Sequence, residues 1–172
     1  MQEHIQNELA SFIANCDWEK IAPHFKEDAA YRVLDWVGCA VAGEHYPQVE
    51  IAQKYFIENG DQGNSTVIGH QIKCSPRTAA FLNGIAGHVC ELDDGHRTAI
   101  GHPGSIAVPT ALALGEHLNA SGADVLKAVI LGYEVFSRLG RTVNPSHYRT
   151  WHTTGTCGTI AAAAAAASLL KL

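Results

Sequence analysis

The sequence predicts an all-α fold, on three observations. Apolar residues recur at helical spacing in several separate segments. Serine-led capping signals open two of those segments. The best extended candidate, Ser65 to Gly69, is too short to define a sheet.

In chain order, Ala30, Val33, Leu34, Val37 and Val41 fall on one face of an amphipathic helix. Glu27 and Asp28 are placed in its first turn, where negative charge suits the helix dipole, and Gly43 ends it. A second helix is expected from Pro47 to Ile57, stopping at Asn59-Gly60. Ser75-Pro76 opens a third, with Ser as N-cap and Pro at the first helical position, running to about Leu92. Gly84 and Gly87 inside it lower helix propensity, so they predict close packing against another backbone. Asp93 to Ser105 reads as a loop, and a helix from Ser105 to Leu118 follows. Ser121-Gly122-Ala123-Asp124 resembles a capping box ahead of a stripe of Leu126, Val129, Ile130, Tyr133 and Phe136. Gly140 to Trp151 reads as a connection. The last helix begins near Thr153 and contains seven consecutive alanines, Ala161 to Ala167.

That last helix is apolar nearly all round and is expected to be buried. The chain stops at Ser168-Leu169-Leu170-Lys171-Leu172 with no Gly or Asn cap. This ending predicts either the front part of a longer fold or a partner that covers the helix. No repeat and no interdomain linker stands out, so residues 1–172 are read as a single domain.

Composition excludes several classes. The chain has 172 residues, 47% of them hydrophobic, with 12 Lys+Arg against 17 Asp+Glu and a net charge of −5. That hydrophobicity is too high for a disordered chain. No basic surplus exists to neutralise phosphates, so nucleic acid is not an expected partner. No continuous apolar run reaches the roughly 18 residues of a membrane span. The polar N-terminal stretch lacks a signal-peptide pattern. Five scattered cysteines, with no CxxC, argue against a disulfide framework and a zinc knuckle, and the cytoplasm is the simplest compartment.

Two places combine a histidine with a helix start. His102 precedes Pro103-Gly104 at the end of the acidic loop, and His152 precedes Thr153-Thr154-Gly155-Thr156 at the alanine helix. A helix N-terminus offers unpaired N–H groups and partial positive charge, which suit a carboxylate or phosphate. An imidazole beside it can move a proton near neutral pH. Together these parts suit proton abstraction next to a carboxylate, followed by elimination, decarboxylation or epimerisation. Blander readings exist for each part. A His before Pro-Gly is commonly a surface residue, Asp93-Asp94 can merely cap a turn, and His88 reads as a packed helix histidine. A metal held by Asp93, Asp94, His96 and His102 competes, although no HxH or HExxH spacing is present. A nucleophilic hydrolase is weaker, with no GxSxG and little around Cys157 beyond a helix start.

Five stretches in order carry a resemblance. They are Phe81 to His88, Glu91 to His96, His102 to Ser105, Gly132 to Val135, and His152 to Gly158 followed by the alanine run. This set resembles the MmgE/PrpD family, whose members include 2-methylcitrate dehydratase, cis-aconitate decarboxylase and iminodisuccinate epimerase. The resemblance implies a mostly helical domain, here apparently truncated and lacking the smaller α+β lid domain. It implies no organic cofactor, no required metal and a homodimer, with a small di- or tricarboxylate as substrate. His102 and His152 map onto the family's active-site histidines and become the proton-transfer candidates. The acidic loop, with Asp93, Asp94, His96 and Arg97, becomes the substrate-holding candidate, joined by Thr153 and Thr154. Glu91 and Gly95 stand where several members have Asp and Thr, and Lys171 does not match the lysine that members carry further along. A lyase or isomerase, weak or inactive without a second polypeptide supplying the rest, is therefore expected. The alternative is a non-catalytic helical fragment that self-associates.

Overall fold

A computed structural model describes residues 4–172. The first three residues of the N-terminal stretch, where no signal-peptide pattern was read, lie outside it. Seven α-helices make up the described chain: α1 Ile5–Ala14, α2 Pro23–Gly43, α3 Pro47–Glu58, α4 Pro76–His88, α5 Gly104–Leu118, α6 Gly122–Val143 and α7 Thr153–Leu170. Between α3 and α4, β1 (Ser65–Thr66) pairs antiparallel with β2 (Lys73–Cys74), Ser65 opposite Cys74. The extended piece read at Ser65 thus exists, and its partner is the two residues leading into Ser75.

The capping signals act locally. The Ser75 hydroxyl accepts from the Thr78 N–H at 3.3 Å, and Ser121 accepts from the Asp124 N–H at 3.1 Å. Each satisfies a donor that the first turn would leave unpaired. α4 ends at His88, before the expected Leu92, and Glu91 then takes a left-handed φ of 53°. α6 runs on to Val143, into the stretch read as a connection.

α2 departs most from its reading. It starts at Pro23, so Glu27 and Asp28 lie beyond the first turn, and Asp28 pairs with Arg32 at 2.7 Å. Its buried residues are Ala29, Trp36, Cys39, Ala40 and Gly43, while Leu34 is 68% exposed and Val41 also faces out. Periodicity found a face, but close approach selected a neighbouring one. The small residues let α4 come near, and Trp36 fills the space between them.

The core joins α2, α3, α4, α5, α6 and α7. Trp36, Ala40, Val49, Ala86, Val108, Ala111, Val129, Ala165 and Leu169 form its main cluster. α6 packs along α7, and α5 lies against both. The alanine helix is only partly buried: Ala161, Ala164, Ala165 and Leu169 are inside, whereas Ile160 and Leu170 are exposed. At 18 residues and mean hydropathy 1.3, α7 is long and apolar enough to cross a membrane by length and composition alone. A core helix meets the same test. Lys171 closes α7 with a left-handed φ of 58°, a conformation usually given to Gly or Asn.

The α2–α4 contact depends on two glycines. A Cβ on Gly43 would collide with the backbone oxygen of Ala86, and one on Gly87 would stand 2.5 Å from the Trp36 indole nitrogen. Gly43→Ala is therefore expected to destabilise the fold by about 1–3 kcal/mol, because backbone cannot retreat as a side chain can. Gly38, on the same helix with nothing near its missing Cβ, is the control. Gly38→Ala should stabilise by about 0.5–1 kcal/mol through helix propensity. Urea unfolding of the two variants checks both signs.

Candidate active site

The loop between α4 and α5 is fixed at several points. His96 N–H donates to the Gly101 carbonyl at 2.8 Å, and the His96 Nδ1 accepts from the Ala99 N–H at 3.1 Å. Ala99 is fully buried and packs with Phe136, Cys157 and Ala161 of α6 and α7. One Asp94 oxygen accepts from the Gly104 N–H at 3.1 Å, capping the start of α5. Its other oxygen accepts from Arg32 at 2.9 Å, tying the loop to α2. Both oxygens are thus engaged within the chain.

The two histidine-bearing helix starts meet. The His102 backbone N–H donates to the Thr154 hydroxyl at 3.0 Å, although 52 residues separate them. Ser105 donates to the His102 carbonyl at 2.9 Å. His152 is the N-cap residue of α7, and no side chain caps that helix. Its positive end is left to solvent or to an anion.

Beneath the loop lies Asp93, whose side chain has no exposure. The His88 Nδ1 stands 3.0 and 3.1 Å from its two oxygens. The His102 Nδ1 is 3.4 Å from one of them, and the two imidazole centroids are 4.7 Å apart. A carboxylate without water needs such partners, because an unpaired buried charge is costly. His88, read from the sequence as a packed helix histidine, is therefore part of this cluster. Its position five residues before Asp93, at the last turn of α4, is the signal that local reading passed over.

Two cavities flank the loop. One, of about 510 Å³, is lined by His88, His152, Thr154, Ser105 and Gly155, with Phe81, Ile85 and Ile106 among its apolar walls. The other, of about 480 Å³, is lined by Asp94, His96, Arg97, Arg32, Tyr133 and Asp28 among others. The sequence candidates are divided between them. His152 and Thr154 face the first, and Asp94, His96 and Arg97 face the second. Asp93 and His102 lie behind the first, joined to it through His88 and Thr154. Thr153 faces neither, because it is fully buried and its hydroxyl accepts from Asn144 at 3.0 Å.

The electrostatics differ on the two sides. Burial, and then the Asp94 carboxylate, push the Tyr133 phenol well above the usual tyrosine range. It therefore stays in the neutral phenol form, able both to donate and to accept a hydrogen bond. Burial also pushes the Cys157 thiol up, away from the thiolate a nucleophile requires.

Known proteins resemble this chain along most of its length. The family model of the MmgE/PrpD N-terminal domain matches residues 7–172. The cis-aconitate decarboxylase-like protein oryM of Aspergillus oryzae is 32% identical over 178 residues, covering 98% of this chain and 37% of that protein. Cis-aconitate decarboxylase of Aspergillus terreus is 31% identical over 175 residues, covering 98% of this chain and 36% of the relative. The human cis-aconitate decarboxylase is 34% identical over 140 residues, covering 76% and 29%. The chain thus spans between 29% and 37% of the length of these relatives. With the helical fold, the matched domain and the ordered motifs in agreement, the chain belongs to the MmgE/PrpD family and corresponds to its N-terminal domain.

Proposed function

We propose that this chain supplies one wall of a lyase or isomerase site for a small di- or tricarboxylate. His102 and His152 are its proton-transfer groups. The observation that carries this reading is the 3.0 Å hydrogen bond from the His102 N–H to Thr154, which locks two histidine-bearing helix starts together. The cavity beside that lock presents His88, His152, Thr154 and Ser105, with the buried Asp93 behind His88.

The parts serve one chemistry. A substrate carboxylate is held at the α7 N-terminus by free N–H groups and the Thr154 hydroxyl. Loss of a second carboxylate as carbon dioxide leaves its electron pair on the adjacent carbon, and an imidazolium delivers the proton that carbon requires. For elimination or epimerisation an imidazole instead removes the proton beside the carboxylate. The names of the relatives put cis-aconitate decarboxylation first among the reactions to assay. The facing wall would come from a longer form of the chain or from a second polypeptide.

A second reading, self-association of the helical domain, is favoured by the apolar side chains left outside. Tyr31 and Leu34 on α2, Ile51 and Tyr55 on α3, and Ile160 on α7 are all at least half exposed. Exposed apolar side chains of this size suit an interface between copies of the chain.

Three measurements follow from these readings. Titrating the chain with cis-aconitate and following backbone amides by NMR should move His152, Thr154 and Gly155. Movement confined to Asp94, His96 and Arg97 would place the ligand in the other cavity. With the C-terminal portion of a relative supplied in trans, His152→Ala should lower carbon dioxide release by about 10²- to 10⁴-fold. Unchanged release would remove His152 from the mechanism. Sedimentation of the chain alone should give a dimer or larger species, and a stable monomer across concentrations rejects the self-association reading.

A further inference from the structure

We propose that Asp93 is a positioning residue that fixes the tautomer of two imidazoles at once. Its buried carboxylate keeps the ring proton of both His88 and His102 on Nδ1, so that neutral His102 presents an unprotonated Nε2. The case begins with where the ring nitrogens point. The His88 Nδ1 stands 3.0 and 3.1 Å from the two Asp93 oxygens, and the His102 Nδ1 stands 3.4 Å from one of them. A carboxylate only accepts, and the Asp93 side chain has no exposure through which water could intervene. An Nδ1 lone pair turned toward either oxygen would meet another lone pair. Each Nδ1 must therefore carry the hydrogen, which leaves Nε2 of the neutral ring as the acceptor.

The two contacts are unequal, and the inequality assigns their roles. His88, at the last turn of α4, straddles both oxygens and keeps the carboxylate from turning. His102 has the longer contact, and its buried Nδ1 has no other partner. The His102 backbone is pinned on both sides, its N–H donating to the Thr154 hydroxyl and its carbonyl accepting from Ser105. Rotation of the ring is the freedom that Asp93 restricts. The side chain keeps 24% exposure although Nδ1 is buried, so its accessible edge lies away from Asp93. A proton taken up at Nε2 makes the Nδ1 contact charge-assisted, and such contacts shorten.

The resemblance makes Asp93 a substrate-holding candidate, but it lines neither cavity. It acts through His102 and not on a ligand. The use of the free Nε2 in proton transfer rests on the proposed function, whereas the tautomer rests on the contacts alone.

Two-bond proton–nitrogen correlation spectra of the histidine rings in the purified chain test the tautomer. They are recorded at about pH 8.5, roughly two units above the ordinary imidazole value of about 6.5. Both His88 and His102 should show a protonated Nδ1, and His102 a lone-pair Nε2. In Asp93→Asn an amide NH2 replaces one oxygen, and both oxygen positions lie within 3.1 Å of the His88 Nδ1. At least one of the two rings should then turn to the Nε2–H tautomer. His88→Gln, whose amide can still donate to Asp93, should leave His102 unchanged, and it decides the matter if Asp93→Asn does not fold. An unprotonated His102 Nδ1 in the unaltered chain, Nδ1–H retained on both rings in Asp93→Asn, or a turned His102 in His88→Gln overturns the proposal. With the C-terminal portion of a relative in trans, Asp93→Asn should lower kcat by about 10²- to 10⁴-fold and leave KM nearly unchanged. A raised KM at unchanged kcat would instead make Asp93 a substrate holder. The expected tautomer without any turnover supports the positioning and counts against the proposed function alone.

Discussion

A carboxylate removed from water organises the centre of this domain. The Asp93 carboxylate has no solvent exposure, so its polar oxygens must be met by protein. The groups that meet it are two imidazoles, from α4 and from the turn that opens α5. Breaking such a buried pair from one side costs up to about 3–5 kcal/mol, because the remaining charge is stranded. The loop from Asp93 to Ser105 therefore cannot move freely past α4. Its ordered course follows from that constraint, and so does the position of His102.

Neighbouring contacts extend the constraint outward. Asp94 caps α5 and holds Arg32 of α2, so adjacent carboxylates in the sequence do different work. Asp93 faces inward to the histidines, and Asp94 joins a helix start to a distant helix. Ala99 carries the loop into the cluster of Phe136, Cys157 and Ala161. From there the chain reaches Thr154, and the second histidine-bearing helix start is drawn to the first. Small side chains make this possible. The alanines of α7 let it approach α6 closely, and Gly43 and Gly87 let α4 lie against α2. A site formed from two helix starts depends on that close packing, since a larger side chain at any crossing would separate them.

The fold was legible where local chemistry decides. Ser75 and Ser121 cap helices as their sequences indicate, because capping requires only a side-chain oxygen and a nearby N–H. The buried face of α2 was less legible. Its apolar stripe is real, yet Leu34 stays outside while Ala29, Trp36 and Ala40 go in. Helical period tells that a face exists, and the shape of the partner selects which one. The candidate site divides in the same way. His152 and Thr154 line one cavity with His102 and Asp93 behind it, while Arg97 and His96 face another and Thr153 is committed to Asn144. Neighbours in sequence on a tight loop point to opposite sides, a division that spacing alone does not reveal.

By itself, the sequence determined the helical class, the capped starts and the two loops where histidine meets a helix N-terminus. Each follows from interactions spanning a few residues. Only the tertiary structure decided that the two helix starts touch and that His88 shares Asp93 with His102. It alone also decided that the loop separates two cavities. These depend on contacts across tens of residues, and such contacts are set by how closely whole helices can pack.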